Sequence, residues 1–165
     1  MIHIGIDQSY TSTGYVVLDN DEVIDFDVIK TNPDDGDVFT RAHTIANRLS
    51  AKCNTTDCCI AIEGLAFGIR GSATRDLAGL QFVIIDYLRF QLNKDVIIVA
   101  PTSLKKFATG GGGSKKVKVT KSMMFGALDD DTKVLFKTKY KASNGLYDIT
   151  DAYFLAKYSQ FRSNT

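Results

Sequence analysis

Two carboxylates stand where apolar strands are predicted to end. Asp7 closes the alternating run Met1 to Asp7, and Glu63 follows the apolar run Cys58 to Ile62. In an open α/β sheet, ligands commonly bind in the crevice at the carboxyl ends of the strands, so both side chains would point toward such a crevice. Taken singly, each acid is most simply a strand terminus or a turn residue. Together they form a candidate site.

A second pair of carboxylates lies on a helix predicted from about residue 146 to 161. Asp148 and Asp151 are three positions apart and therefore share one helix face. Apolar residues such as Ile149 and Tyr153 indicate that other faces of this helix are packed. A solvated face is the simpler interpretation of the pair alone, whereas a divalent cation beside it would convert the repulsion between like charges into coordination.

Four carboxylates from two strands and a helix suit phosphodiester hydrolysis by two metal ions. Such ions lie about 3.5 to 4 Å apart and hold both the attacking water and the leaving oxygen, so they require clustered oxygen ligands. We expect two Mg²⁺ ions per site, with Mn²⁺ as a substitute. The residues predicted to be both metal ligands and catalytic are Asp7, Glu63, Asp148 and Asp151.

Charge is distributed unevenly along the 165 residues, although the net charge is only +1. Residues 1 to 40 hold nine acids and one base, whereas residues 101 to 141 hold ten lysines and three aspartates, a local excess of 10 − 3 = +7. A basic segment of this kind attracts the nucleic-acid backbone. A solvated helix face is the other interpretation of the lysine run.

The basic segment also contains a glycine run, Gly110 to Gly113. Glycine lets a backbone approach phosphates without a Cβ clash, although GGGGS is also typical of a flexible linker. Neither a Walker A motif nor a GxGxxG pattern after the first strand occurs, so no nucleotide cofactor is expected. The lysines predicted to contact DNA are Lys105, Lys106, Lys115, Lys116 and Lys118.

Hydrophobic periodicity predicts the elements that position these residues. The strands are expected at Met1 to Asp7, Gly14 to Leu18, Val23 to Ile29, Cys58 to Ile62 and Asp95 to Val99. Helices are expected at Val38 to Leu49, 74 to 92, just after Pro101, near 115 to 127, and at about 146 to 161, with the stretch up to Ser143 ambiguous. Three antiparallel strands followed by parallel strands, flanked by helices, predict an α/β fold with a ribonuclease H-like mixed sheet.

The length and composition predict a single domain over residues 1–165. The sequence has no apolar run long enough for a membrane span and no secretory signal, so a cytoplasmic protein without membrane association is expected. Cys53, Cys58 and Cys59 lack the spacing of a zinc site and are expected to be reduced thiols.

Four segments resemble, in order, the conserved segments of the RuvC-type Holliday junction resolvases: GIDQSYTSTGYVV, AIEGLAFG, VAPTSLKKFATGGGGSKKVKV and YDITDAYFLAKY. They run from near residue 3 to near residue 158. The resemblance implies a ribonuclease H-like fold, a homodimer, and symmetric paired nicks across a four-way DNA junction. It places the four carboxylates as metal ligands, and Lys105 and Lys116 as basic residues that face the cleaved strand.

The chain departs from the family pattern at a few positions. Gln8 replaces a usual proline, Tyr10 is bulkier than its usual counterparts, and Ala66 stands where an aromatic residue is typical, with Phe67 one step later. Phe67 is a candidate for stacking on unpaired bases, and capping the core is the equal alternative. We expect a diverged member, of a kind that a phage would encode, with broader activity on branched DNA. A nuclease for flaps or RNA–DNA hybrids, an inactive branched-DNA-binding module and an actin-like nucleotide-binding relative are the alternatives.

Overall fold

A five-stranded mixed sheet forms the centre of the protein. The computed structural model describes residues 1–54, 57–65, 71–111 and 118–164. The strands, in the spatial order β3-β2-β1-β4-β5, are β1 (Ile2–Asp7), β2 (Ser12–Asp19), β3 (Glu22–Lys30), β4 (Cys58–Glu63) and β5 (Val96–Val99). The first three pair antiparallel, whereas β4 pairs parallel with β1 and β5 parallel with β4. The predicted α/β fold with a ribonuclease H-like mixed sheet is confirmed.

Helices cover both faces of the sheet. They are α1 (Val38–Cys53), α2 (Ser72–Asp86), α3 (Pro101–Thr109), α4 (Lys121–Gly126), α5 (Asp130–Lys139) and α6 (Leu146–Ser163), and a π-helical turn (Tyr87–Gln91) continues α2. The helix predicted near 115 to 127 was placed too early, because residues 118–120 are not helical and α4 begins only after Thr120. The Thr120 side chain accepts a hydrogen bond from the Met123 amide, which fixes that start. α5 fills the stretch that the sequence left ambiguous.

Alternate residues of β1 face opposite sides of the sheet. Ile4 and Ile6 are fully buried in the core that α1 and α2 cover. His3 points to the opposite face, where its Nδ1 lies 2.8 Å from the Ser159 hydroxyl of α6. Because side chains alternate along a strand, Asp7 lies on the same face as His3. The strand pattern thus directs this carboxylate toward α6.

Glycines in two strands let the backbone of α6 lie directly on the sheet. A Cβ atom at Gly14 would lie 2.5 Å from the main-chain oxygen of Asp148, and Gly5 is crowded in the same way by Ala152. Any side chain there would push α6 outward. The close approach sets the height of Asp148 and Asp151 above the carboxyl ends of β1 and β4.

The remaining expectations concern the cysteines and membrane association. The three cysteines form no disulfide in the described part of the chain, and burial raises the pKa of the Cys53 thiol to about 12. Such a thiol is a core residue rather than a nucleophile. Among the described residues, no helix is both long enough and apolar enough to cross a membrane.

Candidate active site

Two of the predicted carboxylates end neighbouring strands. β1 and β4 are parallel, and Ile6 pairs with Ile62, so the next residues, Asp7 and Glu63, lie side by side at the carboxyl edge of the sheet. The side-chain amides of Gln8 and Gln81 both donate to the main-chain oxygen of Glu63, at 3.2 Å and 2.8 Å. These two hydrogen bonds fix the end of β4.

α6 adds a third carboxylate to this edge. Asp151 is only 8% exposed, on a helix that is buried along most of its length. It shares a cleft of about 400 Å³ with Asp7 and Glu63. We call this the carboxylate cleft, and its other lining residues are Lys105, Lys118, Val119, Thr120, Lys121 and Met124.

Asp148 occupies a different position from the other three carboxylates. Its Oδ2 accepts a hydrogen bond from the Ser12 hydroxyl, and its Oδ1 lies 3.7 Å from the Lys121 ammonium. It lines a second cleft of about 310 Å³, the adjoining cleft, which shares Lys121 with the carboxylate cleft. The structure therefore brings three of the four predicted ligands into one cleft and places the fourth next to it.

Burial and mutual repulsion disfavour the charged form of the carboxylates when no cation is bound. Burial raises the pKa of Asp7 well above its usual value, and the charges of Asp151, Glu63 and Asp148 raise it further. Burial likewise raises the pKa of Glu63, and it raises that of Asp151 to about 7 although Lys121 opposes the shift. Raised pKa values show that the negative charge of these carboxylates is not compensated. A cation bound between them would supply that compensation and replace the protons.

Sequence reasoning missed Lys121, whose charge acts on all four acids. Burial alone would lower its pKa, but Asp151, Asp7 and the other two carboxylates outweigh that effect and raise the pKa overall. Lys121 is the first residue of α4, where the helix dipole disfavours a positive charge. A lysine directly after the capping Thr120 was the signal that the sequence offered.

The other predicted DNA contacts are only partly described. Lys105 and Lys118 line the carboxylate cleft, whereas Lys106 is exposed on α3 and does not. Lys115, Lys116 and Phe67 lie outside the described residues. The first glycine of the run, Gly110, ends α3 in a left-handed conformation with φ of 71°.

The carboxylate cleft has the donor set of a hard-cation site. Carboxylate oxygens are the ligands that Mg²⁺ and Mn²⁺ prefer, and Asp151 Oδ1 is buried without a hydrogen-bond partner in the described part of the chain. Among the residues described, however, no three acidic, histidine or cysteine side chains already stand at metal-ligand spacing. The residues fit a divalent cation by the chemistry of their donor atoms.

Comparison with solved structures identifies the fold. The Thermus thermophilus RuvC structure matches with a TM-score of 0.74 at 18% identity, over 99% of this chain and 96% of that chain. T. thermophilus RuvC in complex with Holliday junction substrate matches at 0.75 and 16% identity, over 99% and 95%. The yeast mitochondrial Holliday junction resolvase Ydc2 matches at 0.58 and 13% identity, over 98% and 82%. No family model and no curated protein sequence matches the chain.

Proposed function

We propose that this chain, which has the RuvC-type ribonuclease H-like fold, is a metal-dependent endonuclease that cuts four-way and other branched DNA. The observation that carries the proposal is the carboxylate cleft, where Asp7, Glu63 and Asp151 meet at the carboxyl edge of the sheet. The same fold is found in two resolvases, and one of these structures contains a Holliday junction. The resemblance of four sequence segments to this family supports the proposal independently.

Each side chain of the cleft has a part in this chemistry. Asp7, Glu63 and Asp151, with Asp148 at the margin, would hold the divalent cations, for which we propose two Mg²⁺ ions, or Mn²⁺ in their place. Such ions activate water and stabilise the leaving oxygen of a phosphodiester. The lysines of the cleft attract the DNA backbone, because their charges meet phosphates without reading base sequence.

We further propose a homodimer, so that two copies of the cleft cut opposite strands of a junction. Large aromatic side chains are exposed around α2: Phe82 is 75% exposed and Phe90 is 80% exposed. With His43, Val83, Ile85 and the charged residues Asp86 and Arg89, they line a shallow, mostly apolar groove of about 580 Å³ on the face away from α6. An apolar patch of this kind suits a two-fold interface, since the same surface is buried on both copies.

A cleavage assay tests the proposed function directly. The full chain is incubated with a four-way junction, a flap, an RNA–DNA hybrid and a linear duplex, each with Mg²⁺, with Mn²⁺ and with EDTA. We expect paired nicks at symmetric positions in the junction, no cutting in EDTA, and little cutting of the duplex. Preferred cutting of the hybrid or the flap would assign the cleft to a different nuclease, and junction binding without any cutting would indicate a binding module.

A further inference from the structure

We propose that the adjoining cleft is a binding site for a second phosphate of the DNA strand being cut. This inference rests on the proposed function and deepens it. The cleft of about 310 Å³ lies between the β1–β2 turn, the end of β3 and the segment that leads into α6. Its polar lining includes Thr11, Ser12, Lys30, Lys121, Asn144 and Asp148, with Ser143 and Tyr147 beside them.

The adjoining cleft borders the carboxylate cleft at Lys121. Lys121 lines both, and its ammonium lies 3.7 Å from Asp148 Oδ1 at their common wall. A DNA strand carries a phosphate at every nucleotide, so a strand with one phosphate at the carboxylates has neighbouring phosphates close by. The adjoining cleft offers such a phosphate a place on the other side of Lys121.

Lys30 gives the adjoining cleft a positive charge that pairs with no acid of the described residues. It is the last residue of β3, and its ammonium donates to the neutral Oδ1 of Asn144. Within the described ranges it forms no ion pair, in contrast to Lys52, Lys133, Lys139 and Lys157, each of which lies against an aspartate. The charge of Lys30 is therefore available to an anion.

The single acid in the lining is already engaged. Asp148 accepts the Ser12 hydroxyl on one oxygen and faces Lys121 on the other. With Lys30 and Lys121 at +1 each and Asp148 at −1, the lining carries 2 − 1 = +1. The hydroxyl of Thr11 and the amide of Asn144 supply neutral donors beside this charge. Excess positive charge with short polar donors matches a phosphodiester, which has one negative charge and only acceptor oxygens.

The test measures coupling between Lys30 and individual phosphates. Junction affinity is measured in EDTA, where cutting is blocked, for the wild type, Lys30→Gln, Lys30→Arg and the control Lys133→Gln. Lys133 lies on α5 and lines neither cleft, while its substitution changes the net charge equally. Each protein is tested on junctions in which one phosphate near the cut is replaced by a neutral methylphosphonate.

We expect one methylphosphonate position to weaken wild-type, Lys30→Arg and Lys133→Gln binding severalfold but to leave Lys30→Gln unchanged. Lys30→Gln should also lower the slope of log affinity against log salt by about 1. Equal effects of every methylphosphonate on Lys30→Gln and the wild type would overturn the inference. That result, with normal cutting in Mg²⁺, would leave the proposed function intact, whereas a wild-type protein that neither binds nor cuts junctions would refute the function itself.

Discussion

The backbone of Gly5 in β1 lies directly against the carbonyl group of Ala152 in α6. A Cβ atom on residue 5 would lie 2.9 Å from the carbonyl carbon of Ala152 and closer still to its oxygen. The atoms that this Cβ would meet belong to the backbone of α6, so no side-chain rotation can relieve the clash. α6 would have to move, and Asp148 and Asp151 would move with it. The absence of a side chain at Gly5 therefore determines both how α6 packs on the sheet and where its two carboxylates lie.

We predict that Gly5→Ala destabilises the protein strongly. A clash between a new methyl group and rigid backbone costs about 1 to 3 kcal/mol or more, because the helix must shift off the sheet. The free energy of unfolding in urea gives the measurement. Gly79→Ala is the matched control, since a Cβ at that α2 position meets nothing within 4 Å. It should stabilise the protein by about 0.5 to 1 kcal/mol. Equal stability changes in the two variants would contradict the packing described.

Asp7→Asn and Glu63→Gln should each abolish cutting while leaving junction affinity within about threefold of wild type. Each substitution removes a proposed metal ligand from the cleft but keeps the cleft lysines, which we propose attract the phosphates. Cleavage in Mg²⁺ and binding in EDTA are measured on the same junction. Asp130→Asn, on the exposed first turn of α5, is the control and should cut normally. Cutting by Asp7→Asn at the wild-type rate would show that the site lies elsewhere.

The stability of the ion-free protein should fall as the pH rises from about 4 to about 7. Burial raises the pKa of Asp151 to about 7, whereas an unfolded aspartate titrates near 3.9. Between these values the folded state binds more protons than the unfolded state, so raising the pH favours unfolding, and the effect levels off above pH 7. Asp7, whose pKa is also raised, adds to it.

Urea unfolding in EDTA at pH 5 and pH 8 measures this effect. Asp151→Asn should reduce the loss of stability between the two values by about 2 kcal/mol. The comparison with the variant is needed because burial lowers the pKa of His3, which acts in the opposite sense below about pH 6.5. Identical pH profiles for wild type and Asp151→Asn would mean that Asp151 ionises normally.

Lys121→Gln should lower the thermal midpoint in EDTA at pH 8, by an amount equivalent to about 1 kcal/mol or less, because its side chain is partly exposed. The ammonium offsets the negative charge of the surrounding carboxylates, and its loss leaves their repulsion unscreened. Addition of Mg²⁺ should raise the midpoint of the variant more than that of wild type, since the ion supplies the missing charge. Equal Mg²⁺-induced shifts of the midpoint in both proteins would show that Lys121 does not offset the charge of the carboxylates.

Phe82→Asp should convert the proposed dimer into a monomer, because a charge would be buried in an apolar interface. Sedimentation or light scattering gives the mass, and symmetric paired nicking should decline with it. Val134→Asp is the control: Val134 is 65% exposed on α5, which packs on the opposite layer of the fold. A wild type that is already monomeric at micromolar concentration would contradict the interface assignment.

Local patterns were sufficient to predict the strands that carry Asp7 and Glu63. Alternation along β1 and the apolar run of β4 are properties of neighbouring residues, and both acids end strands as predicted. The element order then gave the mixed sheet. Predicted boundaries shifted by only a few residues, as in β2, which begins at Ser12 rather than Gly14.

The rest of the candidate site depends on contacts between distant segments. In the sequence, Lys121 is one of ten lysines in a basic segment. Only the packing of α4 beside α6 brings it close to the carboxylates. Helical spacing puts Asp148 and Asp151 on one face, but it does not reveal that Ser12 and Lys121 hold Asp148 in a separate cleft. The sequence also contains no indication of the π-helical turn after Asp86, because its hydrophobic pattern predicts one continuous helix from 74 to 92.

The carboxylate cleft takes its acids from β1, β4 and α6, so Asp7 and Asp151 are 151 − 7 = 144 positions apart in the sequence. After the first hundred residues have been synthesised, the growing chain contains both strand carboxylates but not yet the helix that faces them. A chain truncated before α6, or not yet extended to it, therefore holds only two of the three acids of the cleft. The order of synthesis delays any metal-dependent chemistry until α6 has emerged and docked on Gly5 and Gly14.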